Sequence, residues 1–415
     1  MVVLVIGGGG REHAIVWKLS QSKKVDKILC APGNGGIGKI AECIDIQADD
    51  IDGVVRFVKE NGVDLVVVTP DDPLALGMVD ALEANGIRAF GPRKAAAQIE
   101  ASKVYAKELM NKYQIPTAQH KVFSQIDEAM SFLCECRYPT VIKADGLALG
   151  KGVIIAENQG EAVTALKSMM ADRTFGNAGS RVVIEEYLAG REMSVLVFTD
   201  GKTVKAMPSS QDHKRALDGD KGLNTGGMGA FAPSPIYTGE VRKFCENHIL
   251  QRTIDMLNNE GIEYKGVLYF GLMMTDNGVK VIEYNARFGD PETQVILPLL
   301  KTDLVDIIEA VLTGELDKLQ IEWENKCSAC IVAASGGYPE QYQKGYPIEI
   351  EPMKNDSIVF HAGTVLKEDT YITAGGRVLG ITAIGDTLDE ALHRAYEDMP
   401  AVSFKDMYYR RDIGK

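Results

Sequence analysis

The sequence lacks any apolar run close to the roughly 20 residues that a helix needs to cross a bilayer. It also lacks an excess of positive charge, because 45 Lys and Arg residues stand against 58 Asp and Glu residues and give a net charge of −13. We therefore expect no membrane partner and no nucleic-acid partner, although a local basic pocket for phosphate groups is compatible with this balance. The apolar start has no basic leader and no small-residue cleavage site, so it predicts a first β-strand instead of a signal peptide.

Cysteine is too scattered for a disulfide framework. The seven cysteines form an odd number in a chain of 415 residues, which favours reduced thiols and a cytoplasmic location. Two short spacings occur, Cys134 with Cys136 and Cys327 with Cys330. A zinc or redox site would need a second pair or an exposed thiolate, and the sequence indicates neither. We interpret these cysteines as small buried hydrophobic residues.

The first hundred residues alternate strand and helix patterns. Val2–Ile6 and Val63–Thr69 are short apolar runs typical of buried strands, while Arg11–Ser20 and Leu74–Asn85 have helical patterns. Because these elements alternate with short connections, this part predicts βαβ units and an open parallel sheet. A chain of 415 residues is also too long for one hydrophobic core, so we expect further domains.

A helix and a hairpin are predicted in the middle of the chain. Ala95–Tyr113 is rich in Ala, Lys, Glu and Met and ends before a proline, which is typical of a helix. Two alternating apolar runs within residues 266–285 are joined at Asn277-Gly278. This dipeptide suits the positive φ angles of a type I′ turn, so we predict a β-hairpin with that turn.

Two later regions also have a distinct composition. The polar stretch between Pro208 and Pro235 lacks the low complexity of disordered segments, which favours a functional loop. From about Lys326 the chain has several short strand patterns with glycine turns and one late helix, Leu388–Asp398. This last region predicts a separate α+β domain.

Four consecutive glycines, Gly7–Gly10, join the first strand to the first helix. At such a junction, backbone N–H groups and the helix dipole favour an anion. The dinucleotide fingerprint G-x-G-x-x-G fails, because Glu12 or His13 occupies the position of its third glycine. The pattern indicates either a phosphate site with Arg11 at its edge or merely a tight turn, and the motif alone does not decide between the two.

A second glycine cluster lies in V-I-K-A-D-G-L-A-L-G-K-G-V at Val141–Val153. The P-loop pattern is not met, and the following V-I-I-A favours a strand over a helix. Glycines between two strands let backbone amides approach phosphate oxygens, and Lys143 and Lys151 supply positive charge. The segment predicts a loop that folds over a triphosphate as a mobile lid, in preference to an ordinary surface hairpin.

Glu283 and Asn285 lie two residues apart in a predicted strand, so their side chains face the same side. A carboxylate and an amide oxygen at this spacing suit a hard cation such as Mg²⁺. In isolation, a solvated strand face would be the default interpretation. The adjacent crowding of Arg287, Asp290 and Glu292 in a turn constrained by glycine and proline favours a functional site.

Eight segments together resemble the glycinamide ribonucleotide synthetase family of the ATP-grasp superfamily, over essentially the whole chain. They are G-G-G-G-R-E-H-A, A-P-G-N, A-F-G-P, E-A-S-K, V-I-K-A-D-G-L-A-L-G-K-G-V, Q-D-H-K-R, N-T-G-G-M-G and R-F-G-D-P-E-T-Q. The resemblance implies a multidomain chain of the α/β and α+β classes. Its parts are an N-terminal open parallel α/β domain at residues 1–100, a central ATP-grasp fold at 101–325 with a lid subdomain at about 120–190, and a small C-terminal α+β domain at 326–415.

The resemblance also implies roles for individual residues. Those for ATP, including positions of the glycine loop, are Lys103, Lys143, Gly150, Lys151, Gly152, Glu185, Glu186, Leu188 and Glu192. Those for phosphoribosylamine are Gly9, Gly10, Arg11, Glu12, Gly33 and Asn34. Those for catalysis are Lys143, Asp212, Lys214, Arg287 and Asp290. The implied metal ligands are Glu283 and Asn285, and the strand before them, V-L-Y-F-G-L-M-M, adds no acidic ligand.

The activity that the resemblance implies is the ligation of glycine to 5-phosphoribosylamine at the expense of ATP. It proceeds through glycyl phosphate, gives glycinamide ribonucleotide, ADP and phosphate in de novo purine (IMP) biosynthesis, and uses Mg²⁺ or Mn²⁺. We expect a monomer in the cytoplasm. Two alternatives stay open, namely another ATP-grasp carboxylate–amine ligase and a non-catalytic nucleotide-binding protein. The second would require the loss of Lys143, Glu283 or Asn285, and all three are present.

Overall fold

The computed structural model describes residues 1–147, 152–174 and 176–415. Its sheets and helices group into an N-terminal, a central and a C-terminal part, and the central part has a smaller lobe that contains the predicted lid. Of the helices in these described ranges, none is both long and apolar enough to cross a membrane.

A five-stranded parallel sheet forms the centre of the N-terminal part, with the strand order β3-β2-β1-β4-β5. The strands are β1 (Val2–Gly7), β2 (Lys27–Pro32), β3 (Glu42–Cys43), β4 (Leu65–Val68) and β5 (Ala89–Phe90). The helices are α1 (Gly10–Leu19), α2 (Ile51–Asn61), α3 (Asp71–Leu76), α4 (Met78–Ala84) and α5 (Lys94–Ala101). The apolar runs of β1 and β4 are buried on both faces, as is typical of central parallel strands. The predicted open parallel sheet is confirmed.

Two predicted helices are each divided in the structure. The predicted helix Leu74–Asn85 is α3 followed by α4, because Gly77 between them has φ +100° and interrupts the right-handed helix. The predicted helix Ala95–Tyr113 is α5 followed by α6 (Lys103–Lys112), and Ser102 between them is extended. The Ser102 hydroxyl accepts a backbone N–H from the first turn of α6 and caps that helix. Turn geometry and capping set these boundaries.

The smaller lobe of the central part is a four-stranded antiparallel sheet with the order β6-β9-β7-β8. Its elements are β6 (His120–Phe123), α7 (Ile126–Leu133), β7 (Thr140–Ala144), β8 (Val153–Ala156), α8 (Gln159–Leu166) and β9 (Val182–Glu186). Its buried apolar residues form a cluster of their own. Because β7 and β8 are antiparallel neighbours, the predicted glycine loop joins two paired strands.

The larger lobe contains the antiparallel sheet β11-β10-β16-β17. The strands in this part of the chain, including four that lie outside this sheet, are β10 (Arg191–Asp200), β11 (Val204–Ala206), β12 (Gln211–Asp212), β13 (Arg215–Leu217), β14 (Lys221–Asn224), β15 (Gly229–Ala232), β16 (Lys265–Thr275) and β17 (Gly278–Asn285). Its helices are α9 (Gly239–Cys245), α10 (Gln251–Asn259), α11 (Glu292–Ile296) and α12 (Leu304–Thr313). Two clusters of buried apolar residues contain side chains from both this sheet and the N-terminal sheet, so the two parts share a core.

The predicted hairpin is confirmed as β16 and β17, but the predicted type I′ turn is wrong. Thr275 pairs with Gly278, so the two connecting residues are Asp276 and Asn277. Neither has a positive φ, whereas Gly278 has φ +101°. The glycine is therefore the first residue of the second strand, where a positive φ is typical of a bulge that follows an ordinary turn.

The C-terminal part consists of two sheets and one helix. Its elements are β18 (Cys327–Ala334), β19 (Pro347–Ile350), β20 (Ile358–His361), β21 (Thr364–Lys367), β22 (Thr370–Thr373), β23 (Arg377–Gly385), α13 (Leu388–Asp398) and β24 (Val402–Phe404). One sheet has the order β21-β22-β19-β24, and the other has the order β12-β15-β18-β23-β20. Two strands of the long polar stretch therefore belong to the C-terminal sheet. The predicted late helix is confirmed at Leu388–Asp398.

The cysteines are only partly as expected. Cys330 is buried within β18, and Cys327 begins that strand with a half-buried side chain. Cys134, however, is exposed at the C-terminal end of α7, and Cys136 is half-buried after it. The interpretation of Cys134 as a buried hydrophobic residue is wrong, because α7 buries the face that contains Ala129 and Leu133 and leaves the next position exposed.

Candidate active site

Two lysines and one glutamate form a buried charged cluster between the two lobes of the central part. Glu185 Oε2 lies 3.0 Å from Lys143 Nζ and 3.2 Å from Lys107 Nζ. Lys143 Nζ also donates a hydrogen bond of 3.2 Å to the Ile282 carbonyl of β17. The lysine predicted for the triphosphate is thus fixed between a strand of the lid lobe and the strand that contains the predicted metal ligands.

The charges of this cluster modify one another. Burial raises the pKa of the Glu185 carboxyl, but the ammonium groups of Lys143 and Lys107 outweigh this effect and hold that pKa below its usual value. Burial lowers the pKa of Lys107 to about 8, although the Glu185 charge acts in the opposite direction. Glu185 Oε1 has no hydrogen-bond partner within the described ranges. An unpaired buried acceptor of this kind can receive a donor from a ligand.

Lys103, the other predicted nucleotide lysine, contacts the start of the glycine loop. Its Nζ donates a hydrogen bond of 2.8 Å to the Gly146 carbonyl. Burial lowers the pKa of the Lys103 ammonium. Gly152, at the end of the loop, accepts a hydrogen bond of 2.8 Å from the Ala144 N–H. The predicted ATP residues Gly150 and Lys151 lie outside the described residues.

The predicted adenine hinge is the segment that joins β9 to β10. Leu188 is half-buried in this segment. Glu186 Oε1 accepts a hydrogen bond of 2.7 Å from Lys280 Nζ and one of 3.0 Å from the Gln119 N–H. The Glu186 carboxylate therefore links the lid lobe to β17, so its side chain fixes the hinge through protein contacts.

Residues from three separate predicted groups meet at Lys214. Its Nζ lies 2.9 Å from Glu192 Oε2 and 3.8 Å from Glu283 Oε1. Burial would lower the pKa of Lys214, but the charges of Glu192 and Asp212 raise it well above the usual value. Burial raises the pKa of Asp212 to about 7; the Lys214 charge opposes this shift, and neighbouring carboxylates such as Glu292 reinforce it. The structure thus unites the predicted ribose, metal and catalytic residues in one charged cluster.

The predicted metal ligands Glu283 and Asn285 lie at the end of β17. Burial raises the pKa of Glu283, but the ammonium groups of Lys214 and Lys143 hold it below its usual value, so the carboxylate is ionised. Asn285 Oδ1 accepts a hydrogen bond of 3.3 Å from Arg287 Nη2. The described residues contain no group of three or more His, Cys, Asp and Glu side chains arranged for a metal. One charged and one neutral oxygen fit a hard divalent cation that is shared with phosphate oxygens.

The first glycine cluster forms the N-terminal turn of α1. Glu12 Oε2 accepts a hydrogen bond of 2.6 Å from the Gly9 N–H, and its Oε1 accepts one of 2.7 Å from the Thr69 hydroxyl. Arg11 Nε lies 2.5 Å from the same Oε1, and Arg11 Nη1 donates to the Phe288 carbonyl at 3.3 Å. The buried Glu12 carboxylate therefore fixes this turn and occupies the Gly9 N–H. An anion at the turn would meet the Gly10 N–H and the arginine.

Gly33 and Asn34 support the same turn from β2. A Cβ atom on Gly8 would lie 2.3 Å from the Gly33 carbonyl oxygen, so only glycine permits this approach. Asn34 Nδ2 donates to the carbonyls of Gly8 at 2.9 Å and His361 at 2.8 Å. Its Oδ1 accepts the Gly36 N–H at 3.0 Å. Because both polar ends of this side chain are bonded to backbone groups, Asn34 joins the Gly turn to the C-terminal part.

Arg287 and Asp290 are close in sequence but are paired with different partners. Arg287 Nη2 lies 3.0 Å from Glu100 Oε1, and burial raises the pKa of that glutamate. Asp290 Oδ2 lies 3.0 Å from Arg377 Nη2, and its Oδ1 accepts a hydrogen bond of 2.7 Å from Gln294 Nε2. Burial raises the pKa of Asp290, but the Arg377 charge holds it below its usual value. The carboxylate is therefore ionised at neutral pH.

Three residues of the site were not identified from the sequence. Lys107 is one of several lysines in the predicted amphipathic helix, and Glu100 lies in the last turn of an alanine-rich helix. Arg377 lies in a different domain from its partner Asp290. Glu100 is the first residue of the E-A-S-K segment, so the sequence did contain a signal for it. The resemblance, however, implied a role only for the lysine of that segment. For Lys107 and Arg377, only the tertiary fold shows the pairing.

Comparison with known proteins covers nearly the whole chain. Sequence models of the phosphoribosylglycinamide synthetase N domain, ATP-grasp (A) domain and C domain match residues 1–100, 101–293 and 328–415. The phosphoribosylamine–glycine ligase of Caldanaerobacter subterraneus subsp. tengcongensis is 51% identical over 414 residues, which cover 100% of this chain and 99% of that protein. The trifunctional purine biosynthetic protein adenosine-3 of Homo sapiens is 48% identical, over 99% of this chain and 41% of that protein.

Solved structures also resemble this chain in their fold. The crystal structure of phosphoribosylamine–glycine ligase from Thermotoga maritima aligns with a TM-score of 0.88 and 34% identity over 100% of both chains. The biotin carboxylase domain of a Hydrogenobacter thermophilus 2-oxoglutarate carboxylase aligns with a TM-score of 0.77 over 98% of this chain and 91% of that one. At 17% identity, the second likeness shows the fold alone. The resemblance and the multidomain fold class expected from the sequence are confirmed, and the chain belongs to the phosphoribosylglycinamide synthetase family.

Proposed function

We propose that the chain is an ATP-dependent carbon–nitrogen ligase that joins glycine to 5-phosphoribosylamine in de novo purine biosynthesis. The products are glycinamide ribonucleotide, ADP and phosphate. The observation that supports this most is the cluster at Lys214, which brings the ribose carboxylate Glu192 and the metal ligand Glu283 to one ammonium group. Relatives that match this chain over nearly the whole length of both proteins are named phosphoribosylamine–glycine ligase.

ATP lies in this proposal between the two lobes of the central part. Lys103 and Lys143, with the loop residues Gly150, Lys151 and Gly152, bind the phosphates through ammonium and backbone N–H groups. The adenine contacts the hinge formed by Glu185, Glu186 and the Leu188 backbone, and the ribose hydroxyls donate to Glu192. The unpaired Glu185 Oε1 supports this placement, because the adenine amino group is a donor that an enclosed acceptor requires.

Mg²⁺ or Mn²⁺ is held by Glu283 and Asn285 in this proposal. When bound, the cation neutralises charge on the ATP phosphates and on the transferring phosphoryl group. Burial raises the pKa of Glu283, but the charges of Lys214 and Lys143 hold it below its usual value, so the carboxylate is ionised at neutral pH. With these two protein oxygens alone, the ion would need further oxygens from water and phosphate.

The chemistry starts at the glycine carboxylate. One of its oxygens attacks the γ-phosphorus of ATP, the new P–O bond forms, and the bond to the β-phosphate oxygen breaks to release ADP. The phosphoribosylamine nitrogen then attacks the carbonyl carbon of glycyl phosphate, phosphate leaves, and the nitrogen loses a proton. Lys143, Asp212, Lys214, Arg287 and Asp290 position these groups and balance their charge, which is the main contribution that a protein makes to phosphoryl transfer.

The sugar phosphate binds in this proposal at the N-terminal turn of α1. The Gly10 N–H and the Arg11 guanidinium contact the phosphate, while Gly9 shapes the turn because its N–H is bonded to the Glu12 carboxylate. Glu12 and the Gly33-Asn34 segment act through the shape of the turn, because their polar atoms are already bonded to the protein. The proposal therefore assigns fewer residues to direct contact with the sugar phosphate than the resemblance implied.

The remaining expectations form part of the same proposal. The domain limits are 1–100, 101–325 and 326–415, with the lid at about 120–190. The protein acts as a monomer in the cytoplasm on ATP, glycine and phosphoribosylamine, with no nucleic-acid or membrane partner. The net charge of −13 supports the last point. Light scattering of the purified protein would test the monomer, and a dimer mass would contradict it.

The decisive experiment measures ADP release with each pair of amine and carboxylate substrates. Glycine with phosphoribosylamine should give the fastest ATP-dependent release, and mass spectrometry should show glycinamide ribonucleotide. Omission of either substrate is the control. Faster release with another pair would indicate a different ATP-grasp ligase, and the absence of release with every pair would favour a nucleotide-binding protein without catalysis.

A further inference from the structure

We propose that Arg377, from the C-terminal domain, is a positioning residue of the active site. It fixes the Asp290 carboxylate and the Gly226-Gly227 turn, and so orients the end of the site that receives glycine and phosphoribosylamine. The inference rests on the proposed function for the identity of the two substrates. Neither the motifs nor the family resemblance drew attention to Arg377.

The guanidinium of Arg377 makes contacts in two directions. Nη2 lies 3.0 Å from Asp290 Oδ2, and Nη1 donates to the Asp290 carbonyl at 2.9 Å. Nη1 also donates to the Gly226 carbonyl at 2.6 Å and approaches the Gly227 carbonyl at 3.4 Å. Arg377 begins β23, whereas Asp290 precedes α11 and the two glycines precede β15. One side chain therefore joins three separate segments of the chain.

The two glycines are shaped for this contact. A Cβ atom on Gly226 would lie 2.9 Å from Arg377 Cζ, so a larger residue would displace the guanidinium. Gly227 has φ +109°, and a Cβ atom there would lie 2.5 Å from Pro291 Cδ. The N-T-G-G-M-G segment thus owes both of its central glycines to close packing against Arg377 and the Asp290-Pro291 turn.

The contacts continue from Asp290 to the proposed sugar-phosphate turn. Asp290 Oδ1 accepts a hydrogen bond of 2.7 Å from Gln294 Nε2, and a Cβ atom on Gly10 would lie 2.6 Å from that nitrogen. A Cβ atom on Gly9 would lie 3.5 Å from Asp290 Oδ2. Arg377, Asp290 and Gln294 therefore form a continuous support beneath the N-terminal turn of α1.

The position requires an arginine in particular. Only a planar guanidinium can donate from two nitrogens to a carboxylate and to backbone carbonyls at the same time. A lysine would keep the positive charge but would supply one nitrogen in place of two. These contacts of Arg377 are with Gly226, Gly227 and Asp290 and involve neither of the ATP lysines, Lys103 and Lys143.

The experiment compares Arg377→Gln and Arg377→Lys with the unchanged enzyme in steady-state assays of all three substrates. For Arg377→Gln, kcat/KM for glycine and for phosphoribosylamine should fall about tenfold to a hundredfold, the loss typical of a charge-assisted contact. Arg377→Lys should lower the same two kcat/KM values by a smaller factor. The KM for ATP should change less than twofold. Arg394→Gln, which removes an arginine–glutamate pair on α13 in the same domain, is the matched control and should leave all constants unchanged.

A double-mutant cycle tests whether Arg377 acts through Asp290. In an Asp290→Asn background, Arg377→Gln should lower kcat/KM for glycine and phosphoribosylamine much less than it does in the unchanged enzyme, because the two residues form one unit. If the losses of kcat/KM from the two single variants simply add in the double variant, the inference is contradicted. It is also contradicted if Arg377→Gln raises the KM for ATP as much as it raises the KM for glycine or phosphoribosylamine. If Arg377→Gln does not fold, Arg377→Lys decides, and full activity in that variant with an unchanged thermal midpoint would refute the role. Inactivity of the unchanged enzyme with glycine and phosphoribosylamine would refute the proposed function instead.

Discussion

Lys143 and Glu185 form an ion pair of 3.0 Å in which both side chains are almost completely buried. Glu185 also pairs with Lys107, and Lys143 also donates to the Ile282 carbonyl. Two ammonium groups thus share one carboxylate, and a net positive charge is left in an enclosed space. Such a charge suits a polyphosphate, because the ligand supplies the anion that the protein lacks.

The first prediction concerns this lysine. Lys143→Met removes a charge-assisted phosphate contact, which typically contributes about 1.5–3 kcal/mol. ATP-dependent turnover should therefore fall at least tenfold, whereas the Lys107 partner keeps Glu185 paired and the protein folded. Lys167→Met, an exposed lysine of the same lobe, is the matched control. Equal turnover in the Lys143 variant and the control would show that Lys143 does not contact the nucleotide.

The second prediction concerns the metal ligands. Glu283→Gln keeps the shape of the side chain but removes the charge that a divalent cation requires. Activity should fall at low Mg²⁺ and be partly restored as the Mg²⁺ concentration rises. Glu240→Gln, at an exposed position in α9, is the control. Superimposable metal titrations of the Glu283 variant and the control would contradict the assignment.

The sequence predicted those parts of the fold and site that lie within one short segment. The apolar runs of β1 and β4 indicated a parallel sheet because each is buried on both faces. The glycine loop at Val141–Val153 contains its glycines and lysines within thirteen residues of sequence. The pair Glu283 and Asn285 shares one strand. Local spacing is enough in these cases, since the backbone geometry alone brings the groups together.

The parts that escaped prediction depend on contacts between distant segments. Asp290 and Arg377 are 87 residues apart, and no local pattern at either position indicates the other. Lys107 is buried because α6 packs against other elements, among them β9, and this packing brings its ammonium group to Glu185. β12 has only two residues, and β15 has four that are all buried, so neither shows an alternating pattern. Their pairing with the C-terminal sheet could not be inferred.

The third prediction concerns acid stability at the contact between the N-terminal and C-terminal domains. His13 Nδ1 accepts a hydrogen bond of 2.8 Å from the His361 N–H, and the two imidazoles lie 5.6 Å apart. Burial lowers the pKa of His13 to about 3 and that of His361 to about 4. Between pH 6.5 and pH 4 the unfolded chain therefore binds protons that the folded protein does not. The free energy of unfolding should therefore decrease as the pH is lowered through this window, by about 1.4 kcal/mol per pH unit for each of these two histidines.

His13→Asn isolates this effect, because an asparagine oxygen can accept the same hydrogen bond but does not titrate. The thermal midpoint of this variant should drop less between pH 7 and pH 5 than that of the unchanged protein. His393→Asn removes an exposed histidine on α13 and should behave like the unchanged protein. Parallel pH curves for all three proteins would show that His13 does not remain neutral in the folded state.

The last prediction separates the two ends of the active site. Arg11 belongs to the N-terminal domain, while Lys143, Glu192 and Glu283 belong to the central part. Arg11→Ala should raise the KM for phosphoribosylamine about tenfold to a hundredfold, because one charged phosphate contact contributes about 1.5–3 kcal/mol. The KM for ATP should barely change. Arg56→Ala, an exposed arginine of α2 in the same domain, is the matched control.

The structure adds one condition to this test. Arg11 Nε also pairs with Glu12, so the variant leaves that buried carboxylate with the Gly9 N–H and the Thr69 hydroxyl as its partners. Those two hydrogen bonds should keep the turn in place, and a thermal midpoint within a few degrees of the parent would verify this. A selective rise in the constant for phosphoribosylamine then assigns Arg11 to the sugar phosphate. A rise in the constant for ATP alone would mean that the glycine turn binds the nucleotide, because the same N–H group and arginine would serve an ATP phosphate equally well.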